Sequence, residues 1–284
     1  MKRRMPILLP IVMTSLLFLA IGCFKPERLQ GSAIQEGFTH PYGVFIGLEP
    51  GQSGTLDSYR TIVIDAEYFS SEEIAALHEA GHTVYSYLNI GAIEDFRDYY
   101  RKYKRFALGA YDGWPEERWI DVSEPQWRSF LVETCAKAFV DKGIDGFFLD
   151  NADVYDRYPS RRIYLGLVSI LKELRMYGIP IIMNGGDGFV SLALENGDVK
   201  PLFDGVNQED VFTAVDFRTG AMTAQTPDAS AYYQEYLARC KAAGLVVYLT
   251  EYGADDALRK QIEAYCEENG FLWYDARSIE LNGK

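Results

Sequence analysis

Carboxylate and amide side chains end most of the short apolar segments in this sequence. In chain order these residues are Asp65, Glu67, Asn89, Asp150, Asn151, Asp153, Asn184, Asp187, Asn207, Gln208, Glu209, Asp210, Glu251 and Asp275. A single acid at such a position usually caps the following helix or accepts hydrogen bonds from loop amides. A whole set is harder to explain in this way, because gathering carboxylates costs free energy unless protons, cations or ligands compensate their charge. The pattern therefore predicts a functional site.

Two carboxyl groups whose pKa values differ can cleave a glycosidic bond. One donates a proton to the leaving oxygen, and the other attacks the sugar or activates water. Such an enzyme also benefits from aromatic platforms for sugar rings, and aromatic residues stand near the same segment ends: Tyr87, Trp114, Trp119, Tyr155, Tyr158, Tyr252 and Trp273. Because aromatic residues more often belong to a core, we expect only some of them to face a cleft.

Other kinds of chemistry lack their usual motifs. The sequence contains no Gly-x-Ser-x-Gly turn and no phosphate-binding P-loop. His78 and His82 could share a helix face, but no third ligand lies near them in sequence, and no zinc-type cysteine spacing is present. We therefore predict no metal and no cofactor. Cys135, Cys240 and Cys266 fall in helical patterns, which leaves two alternatives: buried free thiols, or a Cys240–Cys266 disulfide.

The apolar segments alternate with helical patterns along the chain. We predict strands at 42–47, 61–65, 84–91, 146–151, 179–186, 203–210, 245–252 and 271–276. Most are continuously apolar, which is typical of parallel strands covered on both faces. Predicted helices between them begin at Ser70, Ser123, Ser160, Ser191, Asp228 and Asp255.

This order predicts a (β/α)₈ TIM barrel, whose working residues lie at the carboxyl ends of its strands. The alternative is an open doubly wound sheet. That fold usually carries a glycine-rich phosphate loop after its first strand, and the residues after 47 do not match one.

The first residues predict export. Lys2, Arg3 and Arg4 precede an apolar run, which ends at Cys23 in a pattern that resembles a bacterial lipobox. We therefore expect a signal peptide at 1–22, lipidation of Cys23, a tether at 23–40 and a barrel domain at 41–284. The predicted location is the periplasm or the bacterial cell surface. The alternatives are a plain signal peptide and an uncleaved anchor.

The charge of the chain is strongly negative. The net charge is −13, and loss of the three positive charges in 1–22 would make it about −16. Such a surface disfavours nucleic acid and anionic lipid, so we expect membrane contact only through the lipid anchor. A cationic polymer would suit the charge, although solubility alone could also explain it. We expect a monomer.

Three motifs in order resemble a known family. They are YLNIG at 87–91 with Glu94 and Arg97 following, WPEERWIDV at 114–122, and GIDGFFLDNADVY at 143–155. From about Tyr42 onward the chain resembles the glycoside hydrolase family of endo-α-1,4-polygalactosaminidases and the bacterial barrel proteins grouped with it.

The resemblance implies a catalytic pair and a mechanism. The matching carboxylates are Asp150, at the end of the fourth strand, and Glu209, at the end of the sixth. Retention of anomeric configuration would make Asp150 the nucleophile and Glu209 the acid/base. Retaining pairs stand about 5–5.5 Å apart, and inverting pairs about 6.5–9.5 Å.

The resemblance also implies a polysaccharide substrate that contains galactosamine and is therefore cationic. We predict substrate contacts from Asp65, Glu67, Asn89, Trp114, Asn151, Asp153, Tyr155, Asn184, Glu251 and Tyr252. Among them, Asp65, Glu67, Asp153 and Glu251 could pair with ammonium groups. Two other functions stay open: an inactive surface protein that binds polysaccharide, and a glycosidase of a neutral α-galactoside.

Overall fold

A computed structural model describes residues 37–48, 51–216 and 219–283. The predicted signal peptide at 1–22, the lipidation site Cys23 and the tether up to residue 36 lie outside these ranges. Within them, no helix is both long enough and apolar enough to span a bilayer.

The central sheet consists of parallel strands, each hydrogen-bonded to the next along the chain. They are β1 (His40–Phe45), β2 (Tyr59–Ile64), β3 (Thr83–Asn89), β4 (Gly146–Asp150), β5 (Ile181–Asn184), β6 (Gly205–Glu209), β7 (Val246–Tyr252) and β8 (Leu272–Ala276). Their order in the sheet equals their order in the sequence. This confirms the predicted eight-stranded barrel, and each of these eight strands overlaps its predicted segment.

The seam between β1 and β8 is closed mainly by aromatic packing. The rings of Phe45 and Tyr274 have centroids 5.3 Å apart, and Tyr59 meets Tyr274 at 5.8 Å. Beyond the strands, the backbone N–H of Gly47 donates to the carbonyl oxygen of Leu281 at 3.2 Å. The barrel is therefore nearly closed.

Helices pack around the sheet between successive strands. The α-helices of three turns or less are Tyr100–Tyr103, Val154–Arg157, Val199–Leu202, Ser71–Glu79 and Asp187–Asn196. The longer ones are Arg161–Leu174, Pro227–Ala242 and Asp256–Asn269. One further helix begins as Pro125–Phe130, passes through a π-helical segment at Leu131–Ala136 and ends as Lys137–Lys142.

The helix boundaries follow from local capping. Ser70 and Glu73 form the predicted capping box, in which each side chain accepts a hydrogen bond from the other residue's backbone N–H. Ser160 and Asp255 also cap the helices that follow them. Two predicted starts were wrong by a few residues. The helix expected at Ser191 begins at Asp187, and the helix expected at Asp228 has Thr226 as its cap.

Two small antiparallel sheets interrupt the barrel pattern, and the sequence analysis did not predict them. One lies between β3 and β4 and consists of Ala92–Glu94, Glu117–Ile120 and Ala107–Ala110. The other lies between β6 and β7 and pairs Thr213–Asp216 with Ala221–Ala224. We call them the first and second inserted sheets. Both follow the carboxyl end of a barrel strand, so they belong to the rim where a barrel carries its site.

The cysteines of the described ranges are free thiols. Cys240 and Cys266 are buried, and Cys135 is half-buried. Of the two alternatives in the sequence, the structure therefore has buried thiols rather than a Cys240–Cys266 disulfide.

Arg97 gathers three carboxylates beside the end of β2. Its guanidinium donates to Asp65 at 2.8 Å, to Glu67 at 2.6 Å and to Glu94 at 2.7 Å. The side chains of Arg97, Asp65 and Glu94 are 5% exposed, and that of Glu67 is 36% exposed. Since this one cation compensates several buried acids, its loss would leave uncompensated charge in the interior.

We therefore expect Arg97→Met to lower the free energy of unfolding by about 3–5 kcal/mol, as measured by urea denaturation at neutral pH. The control is Lys137→Met, which removes an exposed ion pair with Asp141 on a helix surface and should barely change the midpoint. Equal, small effects of both substitutions would contradict a structural role for the Arg97 cluster.

Candidate active site

Asp150 and Glu209 lie together at the barrel mouth, joined by one amide. Asp150 ends β4, Glu209 ends β6, and Asn184 ends the strand between them, β5. The Nδ2 of Asn184 donates to Oδ1 of Asp150 at 3.0 Å and to Oε1 of Glu209 at 2.9 Å. The two facing oxygens are therefore at most 5.9 Å apart, the sum of those distances. Both carboxylates keep some exposed surface.

Asn184 is itself held by a polar network inside the barrel. Its Oδ1 accepts from Nδ2 of Asn207 at 2.7 Å. The Oδ1 of Asn207 in turn accepts from Tyr42 at 3.1 Å and from Thr250 at 3.2 Å. Because ionised carboxylates only accept hydrogen bonds, Asn184 must present its N–H₂ group to them, and its Oδ1 then faces the N–H₂ group of Asn207. The Nδ2 of Asn184 thus points at the two carboxylates.

The residue after each of these carboxylates has a left-handed backbone. Asn151 has φ 67° and Asp210 has φ 57°, a conformation that is uncommon outside glycine and that Asn and Asp adopt most readily. Each side chain is held by a hydroxyl: Tyr111 donates to Asn151 at 2.9 Å, and Thr213 donates to Asp210 at 3.0 Å. Both strands therefore turn sharply directly after their carboxylate.

Burial and charge together raise the pKa values of the pair. Burial raises the pKa of Asp150 to about 7, helped by the negative charges of Glu209 and Asp153. Burial also raises the pKa of Glu209, against the opposing effect of hydrogen bonds from Asn184 and Tyr252. The hydroxyl of Tyr252 donates to Oε2 of Glu209 at 2.8 Å. Both shifts favour the protonated form, which suits a pair that must hold and transfer a proton.

The first inserted sheet adds two side chains that the sequence analysis missed. The Oε2 of Glu117 accepts from Nδ2 of Asn89 at 3.4 Å and from Nδ2 of Asn151 at 3.5 Å. Tyr111, whose hydroxyl reaches Asn151, stacks on Trp119 with centroids 4.1 Å apart. Neither residue lies at a predicted barrel-strand end; the WPEERWIDV motif at 114–122 contains Glu117, whereas Tyr111 precedes that motif and had no sequence signal.

Asp153 belongs to a trio of acids beside the pair. Carboxylate oxygens of Asp153, Asp156 and Asp187 all lie within 4.8 Å of one another, which makes them the one group in the described ranges with the spacing of a cation site. Burial raises the pKa of Asp153 to about 6 and that of Asp156 to about 7. Tyr232 donates a hydrogen bond to Asp187.

Several residues that were predicted to contact substrate form ion pairs or hydrogen bonds within the protein instead. Asp65 and Glu67 are paired with Arg97. Glu251 is fully buried, and its carboxylate accepts from the backbone N–H groups of Phe212 and Thr213 and from the hydroxyl of Thr213. Glu251 therefore anchors the start of the second inserted sheet.

The remaining predicted contacts divide between the core and the cleft. Tyr155 packs edge-on against Tyr164 and Phe189, with centroids 6.0 and 6.5 Å away, so its ring belongs to the helix layer. Trp114 is half-buried, and its carbonyl oxygen accepts from the N–H of Glu117 in the turn before that strand. Asn89, Asn151, Asn184 and Tyr252 all contact Glu117, Asp150 or Glu209.

The raised pKa of Asp150 makes a prediction about stability. Its folded value of about 7 exceeds the ordinary value of 3.8, so ionising this group opposes folding. The destabilisation is absent below about pH 4, grows between these pKa values and is complete above about pH 7. Asp150→Asn removes this destabilisation. The thermal midpoint of the variant should therefore exceed that of the wild type by an amount that increases from about pH 4 to pH 8.

Calorimetry or circular dichroism at several pH values would measure this difference. The control is Asp141→Asn on an exposed helix surface, whose midpoint should follow that of the wild type. A difference between Asp150→Asn and the wild type that does not change with pH would show that Asp150 ionises normally in the folded protein.

Sequence comparisons assign the chain to a family. A family model described as glycoside-hydrolase family GH114 matches residues 45–279, which include almost the whole barrel. An uncharacterized protein of Thermotoga maritima is 24% identical over 237 residues, which are 75% of this chain and 71% of that protein.

Solved structures share the barrel. The glycoside hydrolase domain of PelA from Pseudomonas aeruginosa superposes with a TM-score of 0.72 at 18% identity, over 85% of this chain and 96% of that domain. Ega3 of Aspergillus fumigatus, solved in complex with galactosamine, gives 0.67 at 16% identity, over 89% of this chain and 97% of that chain. The α-galactosidase TtGalA of Thermus thermophilus gives 0.56 at 12% identity, over 87% of this chain and 59% of that chain. These likenesses show the fold, and the family match over most of the sequence shows that this chain belongs to glycoside-hydrolase family GH114 and is a TIM-barrel glycoside hydrolase.

Proposed function

We propose that this enzyme cleaves an α-linked, galactosamine-containing cationic polysaccharide through Asp150 and Glu209, with retention of anomeric configuration. The observation that carries the proposal is the shared amide of Asn184. It brings the facing oxygens of the pair to 5.9 Å or less from each other, which suits the short spacing of about 5–5.5 Å between the carboxyl groups of a retaining pair.

The contacts of the two carboxylates support different roles for them. The contacts of Asp150 with Asn184 and Asn151 are amide N–H groups, which can only donate and therefore suit an anionic nucleophile. Glu209 also meets the hydroxyl of Tyr252, which can accept as well as donate and so tolerates a protonated carboxyl. We assign Glu209 as the acid/base.

The charge coupling of the pair suits two successive steps. In the first, Asp150 attacks the anomeric carbon while Glu209 gives its proton to the leaving oxygen. The ester formed at Asp150 carries no negative charge, so the pKa of Glu209 falls and its carboxylate can accept a proton from water. That water then cleaves the ester, and Asp150 is released as a carboxylate.

A cationic substrate is supported by the lack of internal counter-charge. Within the described ranges, no Lys, Arg or His forms an ion pair with Asp150, Glu209, Asp153 or Glu117. Ammonium groups of a bound sugar chain would compensate these carboxylates and lower the pKa of Asp150 toward the ionised state that a nucleophile needs. The structure of Ega3, which shares the barrel, contains galactosamine.

The test measures release of reducing ends from a de-N-acetylated α-1,4-galactosamine polymer and from a neutral α-galactan. We expect cleavage of the polycation, lost by about a thousandfold in Asp150→Asn and in Glu209→Gln. The matched control is Asp210→Asn, because Asn also accepts the left-handed backbone of that position. It removes a neighbouring charge and should leave most of the activity.

Other outcomes would favour the other functions. Binding of the polymer without turnover in the wild type and in both variants would indicate a surface-binding protein and rule out the two-carboxylate mechanism. Cleavage of the neutral galactan alone would indicate an α-galactoside substrate. Added salt should weaken cleavage of the polycation and hardly affect the neutral polymer.

We also propose that the enzyme acts outside the cytoplasm, held by a lipid on Cys23, on the strength of the sequence pattern that ends there. Cys23→Ser should abolish incorporation of labelled fatty acid and move the protein from the membrane fraction to the soluble fraction. Labelling and fractionation unchanged by the substitution would rule out the anchor. The control Cys135→Ser removes a half-buried thiol of the barrel and should leave both unchanged.

A further inference from the structure

Glu117 stands beside the nucleophile although it comes from an inserted sheet. It is the first residue of the strand Glu117–Ile120. The Nδ2 of Asn151 lies 3.5 Å from Oε2 of Glu117 and 3.4 Å from Oδ2 of Asp150. These two oxygens are therefore at most 6.9 Å apart, the sum of those distances. One sugar residue bound at Asp150 can thus reach Glu117 as well.

The charge of Glu117 is uncompensated, unlike that of its neighbour in the same sheet. Glu94 lies opposite Glu117 in the strand register, and Arg97 pairs with Glu94. In the part of the chain that the structure describes, no basic side chain pairs with Glu117. Its two amide contacts, at 3.4 and 3.5 Å, are long and both reach Oε2. Oε1 is left to bind a ligand.

The surroundings of Glu117 favour a cation as that ligand. Burial and the negative charges of Glu94 and Asp150 raise the pKa of Glu117 to about 8. A positive group bound at Oε1 would relieve this repulsion and restore the ionised state. Asn89 and Asn151 keep the carboxyl group in place from one side, while the stacked rings of Tyr111 and Trp119 form a rigid neighbouring wall.

We propose that Glu117 binds the ammonium group of the sugar residue held at Asp150, and thereby selects a free amino sugar over its N-acetylated form. This inference rests on the proposed function. An ammonium group gives Glu117 a charge-assisted hydrogen bond. An N-acetyl group is bulkier and offers one neutral N–H in place of a positive charge, so it would leave the charge of this half-buried carboxyl uncompensated, which is the kind of loss that produces strong discrimination.

The test compares kcat and KM on fully de-N-acetylated and on partly N-acetylated α-1,4-galactosamine oligomers. Glu117→Gln keeps the shape of the side chain and removes its charge. We expect KM for the fully de-N-acetylated oligomers to rise by about 10- to 100-fold, the worth of one hydrogen bond to a charged group. The kcat should change much less, and the preference over partly acetylated oligomers should shrink by a similar factor.

Two further variants separate this role from general effects of charge and folding. Glu117→Asp keeps the charge and should recover part of the lost affinity. Glu268→Gln removes one negative charge from the exposed face of the helix Asp256–Asn269 and should leave both constants unchanged.

Unchanged selectivity in Glu117→Gln would overturn the proposal while the wild-type cleavage still supports the proposed function. A fall in kcat as large as that in Asp150→Asn, with KM unchanged, would also overturn it, because Glu117 would then take part in the chemistry itself. A wild-type enzyme that cleaves no amino-sugar polymer would overturn both proposals.

Discussion

One amide nitrogen holds the two proposed catalytic carboxylates, Asp150 and Glu209, together. Two negative groups repel each other, so their proximity requires a donor between them or a shared proton. Asn184 supplies the donor, because β5 lies between β4 and β6 in the sheet and ends at the same level. The orientation of that amide depends on Asn207, Tyr42 and Thr250 inside the barrel. The polar layer of the barrel interior is thus hydrogen-bonded to the amide that contacts both carboxylates.

The acids at the rim of the barrel fall into two groups, which differ in whether a basic side chain lies beside them. At the end of β2, Arg97 forms ion pairs with Asp65, Glu67 and Glu94 and makes them part of the framework. At the ends of β4 and β6, no cation of the described residues is supplied, and burial raises the pKa values instead. The ion pairs of Arg97 stabilise the fold. Burial of Asp150 and Glu209 without a cation instead costs free energy in the unbound protein, and a bound cation would reduce that cost. The difference between framework and site is thus a difference in counter-charge.

The inserted sheets complete the cleft that the barrel strands begin. The first brings Tyr111 and Glu117 over the end of β4, where both contact Asn151. The second is anchored by Glu251, which accepts hydrogen bonds from the chain just after Asp210. Gly91 allows the first insertion to leave β3 close to the site, since a Cβ there would lie 1.7 Å from the carbonyl oxygen of Asn151. Each insertion therefore contacts the turn that follows one of the two proposed catalytic carboxylates.

The sequence by itself determined the barrel and the strand ends that carry its chemistry. Continuous apolar runs, helix caps and their alternation fix a parallel sheet, and parallel strands bring their carboxyl ends to one rim. Asp150, Asn184 and Glu209 were for that reason predictable as neighbours. Only the tertiary structure decided which acids find partners inside the protein, because Arg97 lies far along the chain from Asp65, and Thr213 lies far from Glu251. The tertiary structure also decided the position of Glu117. The short strands of the inserted sheet are defined by their pairing with each other, and their sequences carry no hydrophobic periodicity that would predict them.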